Sequence, residues 1–262
     1  MRTSSRRFPL ATLALVLILT AGVAAAPGAA AGSSNGGRVA AVAPDARQSY
    51  RINLARRSDW VQQTDFVQCV GTSVQMMLNI MQPGADRSKR TQRHLQELAR
   101  AWSGPTPSGR VRQGASIRGW AAGLVIRRAG AYRVVGADSL REAMEVAATA
   151  IREYRRPVGP LVWGGRHAWV MSGFEATGDP LLAKRWRVTK AYILDPLYPY
   201  GDDVWGPSPT PGSAIPVAAV GRQFVKRNRA RNSPWNSLPG AERLRGKWVL
   251  VIPTGQLRPG IE

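Results

Sequence analysis

Three residue types that perform nucleophilic chemistry occur in order along the chain: Cys69, His167 and Asp195. Cys69 is the single cysteine of 262 residues, so it has no internal disulfide partner. A thiol attacks as the thiolate, which a helix N-terminus and a nearby imidazolium both stabilise. Cys69 opens the run Cys69–Met81, which reads as a buried helix and puts the thiol at its N-terminus. Of the two histidines, His94 stands among Arg93, Gln96 and Glu97 on a helix, where a solvated position is expected. His167 follows Gly164-Gly165-Arg166 and opens an apolar strand. At a sheet rim it can point into a cleft and act as a general base; a neutral structural histidine is the alternative. Asp195 ends a strand through Ala191–Leu194, just before Pro196. If that strand forms a hairpin with the His167 strand, the carboxylate returns beside the imidazole and holds its tautomer. The alternative is a simple Asp-Pro turn. Gln63, six residues before Cys69, can join the Cys69 amide in holding an oxyanion, with Gln62 and Gln68 as local competitors.

The elements that must position these groups follow from periodicity. Trp60–Gln68 reads as an extended approach to the Cys69 helix, and Pro83-Gly84 as its stop. Thr91–Trp102 has helical spacing, with Leu95, Leu98 and Ala101 on one side, and Ser103–Gly109 is a Pro/Gly loop. Ser116–Leu124 is a short helix with Trp120 inward. Tyr132–Val135 reads as a strand. Ser139 through Glu142 is a capping box that opens a helix to Tyr154. Pro160–Trp163, His167–Phe174, Val188–Leu194 and Lys247–Ile252 read as strands, the middle two joined by a hairpin at Gly178-Asp179-Pro180. Residues 201–246 are rich in Pro, Gly, Asn and Arg and read as a long basic loop region, of the kind used as a lid. The expectation is an α+β fold in two lobes, with helices first and then an antiparallel sheet carrying one helix.

Residues 1–31 have the plan of a secretory signal: Arg2, Arg6 and Arg7, an apolar run over Leu10–Ala26, and Ala29-Ala30-Ala31. The apolar run falls short of the roughly 20 residues of a membrane span, although an uncleaved signal would anchor the chain. The expectations are a secreted, monomeric protein with no membrane span after signal cleavage, a flexible leader over 32–49, and one folded domain over 50–262. The net charge of +21 points outside the cell to acidic protein substrates, lipid headgroups or an anionic wall polymer, with general arginine usage and solubility as the alternative, and export argues against nucleic acid. The basic run Arg222, Lys226, Arg227, Arg229 and Arg231, near Phe224 and Trp235, would dock such a polymer or simply be solvated. Two histidines and one cysteine give no metal-ligand spacing, and no Gly-rich phosphate loop follows a strand, so neither metal nor cofactor is expected.

Gln63 and Cys69, followed by Thr72-Ser73 and Met76-Met77-Leu78-Asn79, resemble the active-site helix of papain-like cysteine peptidases. The likeness is to family thirty-nine, the bacteriocin-processing double-glycine peptidases and their secreted relatives. It continues at His167-Ala-Trp-Val-Met-Ser-Gly173 and at Tyr192-Ile-Leu-Asp195-Pro196. The resemblance implies a papain-like fold and a secreted thiol hydrolase acting on peptide bonds. Cys69 would be its nucleophile, His167 its general base, Asp195 its orienting residue and Gln63 its oxyanion donor. Two departures are visible. Gln68-Cys69-Val70 replaces the usual Asp-Cys-Gly or Asn-Cys-Gly, with the glycine one place later at Gly71. His167 and Asp195 are also further apart than usual, which an enlarged hairpin over Glu175–Arg187 would absorb. The same chemistry also fits a peptidoglycan amidase or endopeptidase, or a transglutaminase-like acyl transferase. An inactive relative that binds peptide or wall polymer is the non-enzymatic alternative.

Overall fold

A computed structural model describes residues 49–82, 84–104, 113–227 and 242–255. The signal segment 1–31 and the leader up to residue 48 lie outside the described residues, as do Pro83, most of the Ser103–Gly109 loop, and Arg229, Arg231 and Trp235.

The chain is mixed α and β with antiparallel sheets. A short strand β1 (Tyr50–Asn53) precedes three helices, α1 (Cys69–Met81), α2 (Lys89–Ala101) and α3 (Ile117–Ile126). Then come β2 (Tyr132–Ala137), α4 (Leu140–Tyr154), β3 (Gly159–Val162), β4 (His167–Ala168), β5 (Val170–Ala176) and β6 (Val188–Leu194). The pieces β7 (Gly201–Asp202), β8 (Gly206–Pro207) and β9 (Ser213–Pro216), the helix α5 (Val217–Gln223) and β10 (Trp248–Pro253) complete the described elements. One sheet has the order β1-β5-β6-β9 and the other β2-β10-β3-β4.

Strand alternation explains the apolar runs. In β10, Val249 and Val251 pack into the core under α1–α3, while Leu250 and Ile252 pack into a second core under α4. Val170 and Met171 divide in the same way, as do Leu194 and Ile193. Successive side chains leave opposite faces of a strand. Strands covered on both faces therefore lose the polar positions that would reveal their period. Trp120 in α3 and Trp169 between β4 and β5 are fully buried anchors of these cores. Burial of such a side chain contributes on the order of 2–3 kcal/mol.

Three expectations need correction. The stretch His167–Phe174 is two segments rather than one strand. His167 and Ala168 pair with Val162 and Leu161 in one sheet, while Val170 pairs with Leu194 in the other. The chain changes sheets at Trp169, whose amide still bonds Pro160 O at 3.1 Å. The inward face of α2 is Gln92, Leu95, Gln96 and Ala99, with Ala101 exposed and Leu98 half-buried. Two glutamines take core positions because their amides serve the loop before Cys69. Finally, 201–246 is not simply loop. Its described part holds β9, which pairs with β6, and α5, whose Val220 and Phe224 flank enter the core.

Local signals account for the rest. Ser116 and Ser139 accept bonds from Gly119 N and Glu142 N and start α3 and α4. Glu142 closes its half of the capping box on the amide of Asp138 instead of that of Ser139.

Candidate functional site

The loop before α1 is fixed by α2. Gln92 Oε1 accepts from Thr64 N and Thr64 Oγ1, both at 2.8 Å, and its Nε2 donates to Gln62 O at 3.0 Å. One turn on, Gln96 Nε2 donates to Val67 O and its Oε1 accepts from Gly71 N, both at 2.8 Å. A helix leaves its first amides without internal partners. Here the third is capped by a side chain from a neighbouring helix. The amides of Cys69 and Val70 have no acceptor among the described residues. This arrangement also explains why the glycine stands at 71: a Cβ there would lie 2.7 Å from both Cβ and backbone N of Gln96. The glycine serves the α1–α2 approach rather than the thiol.

Cys69 is therefore the first residue of the helix, beside amides that the helix itself leaves without partners. One turn further, Ser73 Oγ donates to Ala168 O at 3.2 Å and ties α1 to β4 beside His167. The His167 ring is almost wholly buried, with 3% exposure. Its Nε2 donates to Asp195 Oδ1 at 2.7 Å, since an ionised carboxylate can only accept. The Cys69 thiol is close enough to the ring to act on its protonation, and Nδ1 is the ring nitrogen that Asp195 leaves open. Trp163 stacks on the imidazole at 4.2 Å between centroids and 23° between planes. Trp163, Gly164 and Gly165 all have positive φ (57°, 64° and 103°), forming the tight turn that returns the chain to His167. For a tryptophan that conformation costs on the order of 1–2 kcal/mol. The stack and the bond from Trp163 Nε1 to Gln223 Oε1 at 2.9 Å offset it.

Burial by itself would lower the His167 pKa. The hydrogen bonds to Asp195 and Cys69, and the negative charge of both partners, outweigh it and raise the pKa to about 9. Asp195 is fully buried, which would raise its pKa. The His167 bond and charge, the Ser208 hydroxyl and the Leu197 amide reverse that and hold it below the usual value. Asp195 Oδ1 also accepts from Leu197 N at 2.8 Å. Asp195 Oδ2 has no partner in normal hydrogen-bonding geometry, and the buried Ser208 is the hydroxyl closest in its electrostatic effect. Trp60 Nε1 donates to Asp195 O at 2.9 Å and roofs the residue.

Gln63 is placed differently from the other three. Its backbone N donates to Pro196 O at 2.8 Å, which ties it to the Asp195 turn. Its side-chain Nε2 donates to Asp65 O at 3.0 Å, and its Oε1 is buried without a partner. No hydrogen bond joins it to Cys69 among the described residues. One N–H of the amide remains to be offered to a ligand. Gln68, the competitor, accepts from Thr64 Oγ1 at 2.9 Å and serves the loop. His94 is exposed on α2.

The structure thus bonds His167 to Asp195, sets the Cys69 thiol near enough to act on the ring, and ties the Gln63 backbone to the Asp195 turn. Sequence reasoning did not single out Trp163, Gln92, Gln96, Ser208 or Gln223, and it quoted Ser73 without a role. The pair Gln92 and Gln96 was detectable as polar residues one turn apart on the face that carries Leu95. Ser208 and Gln223 carried no signal. Among the described residues there is no cluster of three or more His, Cys, Asp or Glu suited to a metal ion, and no helix long and apolar enough to cross a membrane.

No protein-family model matches this chain, and neither curated proteins nor solved structures yield a match.

Proposed function

We propose that the chain is a papain-like thiol hydrolase that cleaves amide bonds in peptides, exported by its N-terminal segment and acting outside the cell. The observation that carries this reading is the buried relay itself. Asp195 accepts from one imidazole nitrogen at 2.7 Å, the Cys69 thiol helps raise the pKa of the same ring, and the thiol stands at a helix N-terminus.

The chemistry follows from those positions. With its pKa near 9, His167 is protonated at neutral pH and stands beside the sulfur as an imidazolium, the proton donor for the leaving amine. The Cys69 sulfur adds to the amide carbonyl, and the Cys69 N–H with the free Gln63 N–H receives the oxyanion. Collapse breaks the C–N bond while His167 gives its proton to the leaving amine, leaving a thioester and a neutral imidazole. Water then gives a proton to His167 and adds to the thioester, and loss of the thiolate restores the ion pair with release of the acid. Asp195 orients the ring throughout and stays ionised.

Iodoacetamide labelling at neutral pH tests the reading. Wild type should label Cys69 at least tenfold faster than free cysteine, and His167→Ala should remove the excess. Equal rates in wild type and His167→Ala would sink it.

A further inference from the structure

Two cavities open beside the segment that carries Gln63. One, of about 500 Å³, is lined by Gln63, Phe66, Lys89 and Tyr200 among others. The other, of about 720 Å³, is lined by Arg57, Trp60 and Tyr198 among others. Arg87 lines both. Adjacent residues divide them: Trp60 faces one and Val61 the other, as do Tyr198 and Leu197. The dividing segments are those stitched together at the site, by Trp60 Nε1 to Asp195 O and by Gln63 N to Pro196 O. Both cavities therefore border a segment that is hydrogen-bonded to the Asp195 turn.

Their charge is one-sided. Arg57, Arg87 and Lys89 are exposed, and none has an ion-pair partner among the described residues. Arg56, in the second lining, is already neutralised by the buried Asp59 at 2.9 Å. Asp65 opposes them in the first, although its Oδ1 is engaged by Val67 N. The polar surface is interleaved with aromatic faces, and Phe66 is 84% exposed. Each volume is that of a side-chain or small-ligand pocket. Two such pockets on either side of one segment give a peptide laid across it two places for its side chains.

We infer that the substrate is an acidic peptide, its carboxylates held by Arg57, Arg87 and Lys89 on the Gln63 side of the relay. This rests on the hydrolase reading above and names its substrate class. Arginine accepts a carboxylate in bidentate fashion, and Arg87 stands where either cavity can use it.

The test compares fluorogenic peptides that differ only in Glu or Gln flanking the scissile bond. Wild type should cleave the Glu series roughly tenfold more efficiently in kcat/KM, a preference that shrinks with added salt. The double variant Arg57→Glu, Arg87→Glu should lose or invert it. Binding of the same peptides to Cys69→Ala by calorimetry should show the same order without any turnover. Equal handling of the Glu and Gln series in both assays would overturn the inference. So would a phosphate-rich wall polymer binding Cys69→Ala as tightly as the Glu peptide does. His167-dependent thiol labelling of the wild type involves no peptide, so its loss would instead count against the hydrolase reading.

Discussion

Ser73 Oγ donates to Ala168 O at 3.2 Å, and this one bond spans the two halves of the site. Ser73 lies one turn along α1 from Cys69, and Ala168 directly follows His167. The bond is fully buried and holds the thiol-bearing helix against the imidazole-bearing strand. Ser73→Ala should cost about 1 kcal/mol, the net worth of a buried neutral hydrogen bond. Chemical denaturation reads that loss. Thiol labelling should slow as well, because the sulfur–imidazole spacing loosens. A variant with wild-type stability and labelling would show that the bond does not set the spacing.

Gln96 is the second strut. It holds both Val67 O and Gly71 N, so Gln96→Ala removes two bonds at once and leaves buried backbone groups unpaired. The expected loss is about 2–3 kcal/mol in denaturant midpoint experiments. Gly71→Ala should cost a similar ~1–3 kcal/mol by overpacking, since the new methyl meets the backbone of α2 rather than a flexible side-chain end.

The pKa of His167 predicts a pH dependence with a definite sign. It is raised from 6.5 to about 9 in the folded protein. Its contribution to stability is thus complete below pH 6.5 and fades as pH rises through about 9. Asp195 is shifted the other way, so its contribution is present above the usual carboxylate range and fades as pH falls below it. Hydrolysis that needs the imidazolium should therefore fall on the alkaline side near pH 9. Asp195→Asn removes an anionic acceptor from the ring and should move that limb to lower pH. A pH–rate profile of kcat/KM checks it; an unmoved limb would contradict the assignment.

Trp163 predicts a separable effect. Trp163→Phe keeps a ring over His167 and loses the bond to Gln223, while Trp163→Ala loses both. Trp163 is buried, so Trp163→Ala also opens a cavity and should cost about 3 kcal/mol or more beyond Trp163→Phe in thermal or chemical denaturation, the stack supplying about 0.5–1.5 kcal/mol of that. Gln223→Leu should cost more than Trp163→Phe, because it loses the bond from Trp163 Nε1 and also the one from Gln223 Nε2 to Pro207 O at 2.9 Å.

Local sequence signals make much of the fold legible. The Cys69–Met81 helix, the Ser139 cap, the strand ending at Leu194 and the last strand through Ile252 rest on periodicity and capping. Those signals survive because neighbours a few residues apart produce them. The return of Asp195 to His167 follows from strand pairing, although the pairing strand starts at Val170 and not at His167. The illegible parts are non-local. β1 and β9 are four residues each and exist because β5 and β6 offer edges to them. The inward glutamines of α2 read as polar surface until a loop needing donors and acceptors is set against them.

The sequence by itself determined which groups can do chemistry and in what order they come: a single thiol at a helix start, one histidine beside a glycine turn, and one aspartate after a strand. Tertiary structure alone decided their distances. Contacts such as Gln96 with Gly71, Ser73 with Ala168 and Trp163 with His167 join segments that local propensity treats as independent. A hydrogen bond forms only when both partners are brought within about 3 Å, and packing of the whole chain is what brings them there.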